Sequence, residues 1–237
     1  MIKKKPILGI IGGSGLYNLK GLNSSKLKSV PTPFGNPSDK ILISKYKTLD
    51  VMFLPRHGVA HKIPPNKINY KANIYALKKI GVTDIISISA VGSLKTVHKP
   101  GDFVLINQYI DRTLNRERSF FDNELVAHVS LANPTSKDLS DLIYKSKNKD
   151  LKVKKGGTYI AIDGPQFSTY AESLLFKSWG CDVIGMTNMP EARLAREAEM
   201  GYASISMVTD YDCWNRSHAD VTVDQVLEVM SNNTRKV

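Results

Sequence analysis

Residues 7–16 read ILGIIGGSGL: a short apolar run followed by a turn in which four of ten residues are glycine. The apolar half, Ile7–Ile11, predicts a strand. The glycines after it allow positive φ and expose backbone N–H groups. A strand running into such a turn suits an α/β sheet whose site collects at strand C-terminal ends. Two phosphate loops can be tested on it directly. A dinucleotide loop needs G-x-G-x-x-G, but Gly13 and Gly15 are followed by Asn18. A P-loop needs Gly-Lys-Ser/Thr, but Gly15 is followed by Leu16 and Tyr17. A Gly-Gly-Ser-Gly turn remains, in which the Ser14 hydroxyl suits a small oxyanion. A plain tight turn is the alternative.

Outward from this stretch, β-rich runs alternate with helical patterns. Ile41–Lys45 and Val51–Leu54 predict a hairpin around KTLD. Tyr70–Ile80 predicts a helix closed by Gly81. The β-branched run Asp84–Ala90 predicts a buried strand. Strands are also expected at Asp102–Asn107, Thr158–Ile162, Val183–Ile184 and Tyr202–Val208. Helices are expected at Ser136–Lys147, Ser168–Trp179, from Pro190 to Met200, and at Thr222–Met230. No repeat or low-complexity linker divides the chain, so 1–237 reads as one α/β domain.

Composition narrows the function classes. The 237 residues carry a net charge of +11, but only eight of the 33 basic residues are Arg. The densest run, KSKNKDLKVKK at 145–155, contains no aromatic residue for base stacking. A solvated Lys-rich surface is expected, with no nucleic-acid partner. No apolar run is long enough for a membrane span. MIKKKP leads into no apolar signal core, and Cys181 and Cys213 form no metal-spaced pattern. The expected location is the cytoplasm.

Four expected strand ends carry chemistry. PRHG (55–58) joins a planar guanidinium donor, Arg56, to His57, which can donate a further hydrogen bond. With Ser14 and the Ser89–Gly92 turn they form a candidate phosphate cup. A surface Arg and a structural His are the alternative. HGVAH spaces His57 and His61 by four, but lacks the Glu of a zinc helix and runs into Pro64–Pro65, so no metal pair is expected. His98 and His218 are expected to face solvent. VTDYDCW (208–214) places Asp210 and Asp212 two apart. Along an extended stretch they share a side and can address one polar edge. Burial and crowding would raise one pKa and keep a proton available. A metal site and a solvated loop are the alternatives. IDGPQFST (162–169) offers Phe167 for stacking on a planar ring and Ser168 as helix cap or contact. Met186 is more often packing than contact.

GGSGL, TPFGNPSD, PRHG, NYKANIYALK, SAVGS, PGDFV, IDRT, DGPQFS, MTNMPEA and TDYDCW occur in this order from about Ile7 to about Leu227. As a set they resemble the S-methyl-5′-thioadenosine phosphorylases of the trimeric purine nucleoside phosphorylase superfamily. The resemblance implies a single α/β domain with a central mixed, barrel-like sheet flanked by helices, and a homotrimer. It implies phosphorolysis of methylthioadenosine to adenine and 5-methylthioribose 1-phosphate, serving purine and methionine salvage. Inorganic phosphate is then a co-substrate, with no cofactor and no metal. By matching motifs, Ser14, Arg56, His57, Ser89, Ala90 and Thr187 would hold phosphate, and Met186 would lie under the ribose. Phe167 and Ser168 would flank the base, which Asp210 and Asp212 would read, with Asp210 as the acid at N7. His128 would reach a neighbouring subunit's site, and Val223, Val226 and Leu227 would line the methylthio pocket. A phosphorylase for 6-oxopurine nucleosides or methylthioinosine is the rival. The chain departs from the family in having Ser at 14 and 89 where Thr is frequent, and Gln166 where Arg is common. It also stops at Val237, short of the family's usual length.

Overall fold

The computed structural model describes residues 5–13, 23–121, 125–149, 151–217 and 229. Among them are eleven strands in one mixed sheet. β1 (Ile7–Gly12) lies between β4 (Leu49–Pro55) and β5 (Asp84–Ser93), parallel to both. β3 (Ile41–Tyr46) pairs antiparallel with β4 as the expected hairpin, and β2 (Asn23–Lys28) extends that edge. The remaining strands are β6 (Phe103–Ile106), β7 (Gln108–Asp111), β8 (Val153–Lys155), β9 (Thr158–Ala161), β10 (Val183–Gly185) and β11 (Gly201–Asp210). β2, β7 and β8 carry too few apolar residues to be legible in sequence. Part of the Lys-rich run is thereby drawn into the sheet, because β8 pairs parallel with β6.

β5 is the branch point. On one edge it pairs in parallel with β11 from Asp84 to Gly92. On the other it follows β1 as far as Ser87, then meets β10 antiparallel at Gly92 and Ser93. Between them, residues Ile88–Val91 have no strand partner on that edge. Such a gap leaves backbone groups available beside the C-terminal ends of β1 and β4.

Helices α1 (Tyr70–Lys79), α2 (Lys137–Ser146), α3 (Tyr170–Ser178) and α4 (Asn188–Glu197) cover the sheet. α1 closes as expected, with Gly81 at φ 94°. The main core packs Ile11, Leu54, Ile74, Leu77, Ile85, Tyr159, Leu194 and Tyr202 between sheet and helices, all at most 2% exposed. α4 differs from its expected bounds. It starts at Asn188, its regular turns begin at Pro190 after a non-helical Met189, and it ends before Glu199 at φ 54°. The cap of α3 also differs. Thr169, not Ser168, accepts from the Glu172 N–H in a reciprocal capping box. His98 is a further correction: it is 3% exposed, with Nε2 3.1 Å from Asp182 Oδ1, because the turn that bears it folds back on the sheet. The Thr222–Met230 helix and His218 lie outside the described residues, apart from Val229, which is helical.

Candidate active site

The phosphate-side residues gather around Arg56. β4 delivers this residue beside β1, where its N–H donates to Gly12 O at 2.9 Å. Its guanidinium is 2% exposed and bound on several sides. Nε donates to Glu191 Oε2 at 2.8 Å, and NH2 to Glu191 Oε1 at 3.1 Å and to Ser87 Oγ at 2.6 Å. NH1 donates to Ile88 O at 3.0 Å. Guanidinium has five N–H bonds, so one on NH1 has no partner among the described residues. Burial works to lower the Arg56 pKa, but Glu191 more than offsets it and holds the group above its ordinary value.

Glu191 is the centre of a buried network that sequence reading did not single out. It accepts from Ser87 Oγ at 2.7 Å and Tyr202 OH at 2.8 Å. Asn188, one turn earlier on α4, donates to Ser87, Tyr202 and Ser204, while Ser89 Oγ donates to Asn188 Oδ1 at 3.2 Å. Thr187 precedes it, its N–H donating to Tyr159 OH at 3.3 Å. Thus Arg56 and Ser89, from two separate elements, are joined by one set of buried hydrogen bonds, and Thr187 adjoins that set through its chain neighbour Asn188. In sequence, Glu191 looks like an ordinary acid in a helix first turn. Ser89 and Ala90 lie on the part of β5 that has left β1 and not yet reached β10. Ser14 lies outside the described residues.

His57 stands beside this cluster. The 57–63 loop turns through Gly58, Ala60 and His61, all at positive φ, so HGVAH is not an α-helix. The His57 and His61 rings stack at 4.0 Å. His57 Nδ1 is 2.9 Å from Ile63 O, so it carries a proton there. Burial, and then the Arg56 charge, push the His57 pKa down to about 4. The ring is therefore neutral near pH 7, and Nε2 presents a lone pair. The folded pKa lies below the unfolded one, so this group's stabilising contribution is complete above about 6.5. It is lost as pH falls through about 4. An NMR titration of the ring is expected to show a midpoint near 4; a midpoint near 6.5 would mean that the ring is solvated.

The base-side residues meet at the other end of β5. Asp210 ends β11, its Oδ2 accepting from Thr209 Oγ1 at 2.7 Å and its Oδ1 from the Asp212 N–H at 2.8 Å. Asp212 has φ 51°, so the pair does not lie on an extended stretch as expected. The chain instead coils back, bringing Asp212 onto Ser173 of α3, whose Oγ donates to Asp212 Oδ2. Burial raises both carboxyl pKa values, and for Asp212 the nearby Asp210 adds to the rise. The 162–169 loop closes on the same place, with Cys213 Sγ donating to Ser168 O at 3.3 Å. Ser168 Oγ is buried without a hydrogen-bond partner among the described residues, while Phe167 is 47% exposed.

Gly92 permits this convergence. A Cβ there would stand 2.8 Å from Asp210 Oδ1 and 3.2 Å from Asp212 Cβ. Gly92→Ala is expected to push the Asp210 carboxyl aside and to reduce turnover about 10²-fold, as an ångström-scale misplacement can. Turnover equal to wild type would show that the carboxylate position is not critical.

Met186 contacts Gly164 of the same loop, and its carbonyl accepts from Arg116 NH1 at 2.7 Å. His128 is exposed, in an irregular segment away from these residues. Val223, Val226 and Leu227 lie outside the described residues. Arg116, Ser173, Asn188 and Glu191 escaped sequence reading, since each is recognisable only by what it touches.

An α/β sheet with a polar cluster at its branch strand and two buried carboxylates defines a class. A sequence model described as the Phosphorylase superfamily matches residues 7–237. The S-methyl-5′-thioadenosine phosphorylase of Rhodospirillum rubrum is 52% identical over 235 residues, 98% of this chain and 80% of its own. That of Saccharolobus solfataricus is also 52% identical, over 98% of this chain and 86% of its own. Among solved structures, a methylthioadenosine phosphorylase from an Antarctic soil metagenomic library superposes with TM-score 0.92 at 43% identity, covering 99% of this chain and 84% of that one. The Schistosoma mansoni methylthioadenosine phosphorylase in complex with adenine gives TM-score 0.91 at 38% identity, covering 98% and 88%. The chain belongs to the S-methyl-5′-thioadenosine phosphorylase family of that superfamily.

Proposed function

We propose that the chain, acting as one domain over 1–237, cleaves S-methyl-5′-thioadenosine with inorganic phosphate to adenine and 5-methylthioribose 1-phosphate. One observation carries this reading: two carboxyls whose pKa values are raised by burial stand at the C-terminal end of β5, and the Arg56 cluster flanks the same strand.

Phosphate is held by the remaining Arg56 N–H, Ser14, Ser89, Thr187 and the Ala90 backbone. His57 Nε2 accepts a hydrogen bond from the O–H of a monoprotonated phosphate and leaves the proton on it. As the C1′–N9 bond breaks, the ribose gains positive charge, as in glycoside hydrolysis. A phosphate oxygen then forms the new bond to C1′. The electron pair of the broken bond passes into the purine. Asp210 protonates N7, so adenine leaves neutral, and water returns a proton to the carboxylate. Asp212, fixed by Ser173, accepts from the 6-amino group. Met186 lies under the ribose, and Phe167 and Ser168 flank the base, with Ser168 Oγ as a ready donor. Val223, Val226 and Leu227 line the methylthio pocket.

The assembly is a cytoplasmic homotrimer in which His128 reaches the next subunit's site. In support, Leu125, Val126 and Val129 stand exposed around His128 on one irregular segment. Equilibrium sedimentation is expected to give three times the chain mass; a monomer would remove this part of the proposal.

The deciding assay is adenine release from methylthioadenosine with and without phosphate, beside adenosine, inosine and methylthioinosine. Phosphate-dependent release from methylthioadenosine, and little from the 6-oxopurine nucleosides, is expected. Release from inosine or methylthioinosine alone would reassign the base pocket.

A further inference from the structure

We propose that Arg116 is a positioning residue for the nucleoside half of the site, locking the 162–168 loop and the Met186 turn in one relative placement. This rests on the reading that Met186, Phe167 and Ser168 surround the nucleoside.

Arg116 comes from the irregular stretch between β7 and α2, where Leu114, two residues before it, is 64% exposed. The Arg116 side chain turns inward and is only 3% exposed. NH1 donates to Met186 O and Met189 O, both at 2.7 Å, and to Tyr70 OH at 3.1 Å. NH2 donates to Asp163 O at 2.7 Å and Ile162 O at 3.4 Å. Nε is 3.3 Å from Asp163 Oδ1, and the guanidinium lies over the Tyr70 ring at 5.2 Å. One planar fork thus spans two chain segments that have no strand pairing to each other beyond Gly185.

The stretch itself is pinned to the same loop. Leu114 N–H donates to Asp163 Oδ2 at 2.9 Å, and Arg112 N–H to Ala161 O at 2.8 Å. Where the loop and the turn touch, Gly164 and Met186 are in direct contact, so a shift of either moves both. Neither the Arg56 cluster nor Ser89 touches Arg116. The two halves of the site therefore lean on different cations, Arg56 with Glu191 on the phosphate side and Arg116 with Asp163 on the nucleoside side, and they meet at the start of α4, where Arg116 holds the carbonyls of Met186 and Met189 on either side of Thr187 and Asn188. A lysine cannot replace the fork, because its ammonium is a single point with no planar spread.

The test compares wild type, Arg116→Lys and Arg116→Ala. The KM for methylthioadenosine is expected to rise about tenfold or more in both variants, the factor for losing a hydrogen bond to a charged donor. The phosphate KM should rise clearly less than the nucleoside KM, because the Arg56–Glu191 pair keeps its own bonds while only the backbone flanking Thr187 loses a support. Low-millimolar guanidinium should restore part of the nucleoside affinity in Arg116→Ala; if that variant does not fold, Arg116→Lys carries the comparison. Equal changes in both KM values, or none, would overturn the proposal. Met186→Ala tests the underlying reading separately. If it leaves the nucleoside KM unchanged, the placement of the nucleoside fails; if it raises that KM while the Arg116 variants do not, only the role of Arg116 fails.

Discussion

Asp210→Asn is expected to lower turnover of methylthioadenosine by about 10²–10⁴-fold, the usual worth of a general acid. The amide keeps the shape but cannot hand a proton to the leaving purine. Asp210 already accepts from Thr209 Oγ1 and the Asp212 N–H. An amide nitrogen in either position would face a donor, so the side chain must also turn or break a bond. In the proposed placement Asp210 and Asp212 share the N7 and 6-amino edge of the purine, so the amide can also donate to a 6-oxo group, and base preference should move toward 6-oxopurines. Steady-state rates on methylthioadenosine and inosine measure both effects. Unchanged selectivity would sink the base-reading role, and unchanged turnover the acid role. The raised pKa values of Asp210 and Asp212 carry a stability consequence. Each group binds its proton more tightly folded than unfolded. Its contribution is therefore full below the ordinary carboxylate range and is lost as pH rises through the raised values. Asp210→Asn should flatten that part of the stability profile.

Arg56→Ala should be the most damaging single change to stability. It strands the Glu191 carboxylate, which is wholly buried, at a cost of about 3–5 kcal/mol. That is a large part of the roughly 5–15 kcal/mol that holds a typical domain. It also removes the N–H proposed to hold phosphate, so the phosphate KM should rise and kcat fall. A second variant separates the two consequences. Arg56→Met with Glu191→Leu leaves no buried charge, and neutral replacement of a buried pair is often harmless to stability. The double variant is expected to unfold near the wild-type denaturant midpoint yet stay defective with phosphate. Midpoints must be compared at one protein concentration, since the proposed association would contribute to stability. If the double variant regains full activity, Arg56 serves the fold alone. If Arg56→Ala is as stable as the double variant, Glu191 is not stranded, and the buried-pair account fails.

Much of the sheet was legible because its inner strands bury both faces or alternate cleanly. Ile7–Ile11, Val51–Leu54, Asp84–Ala90 and Tyr202–Val208 are apolar enough that few other placements could hide them. Gly81 and the capping residues mark the helix ends through backbone preference, which is local. The Thr169 cap shows the limit of that rule: Ser168 and Thr169 are chemically equal candidates, and only the path of the loop decides which hydroxyl meets the helix. β2, β7 and β8 gain their strand form from neighbours, so their own residues carry no signal.

The chemistry divides the same way. Residue type by itself located a guanidinium and two acids at strand ends, since strand ends collect such groups. It could not determine that Asp212 bends back at positive φ onto Ser173, or that His98 turns inward to Asp182. Nor could it determine that Glu191 lies 135 positions from the arginine it holds. Local propensity acts over a few residues, whereas burial and charge pairing act through space. The strands and their polar ends were therefore written in sequence, and only the packing of α4 against β5 and the return of Asp212 onto α3 decided which charges are paired and which carboxyl pKa values rise.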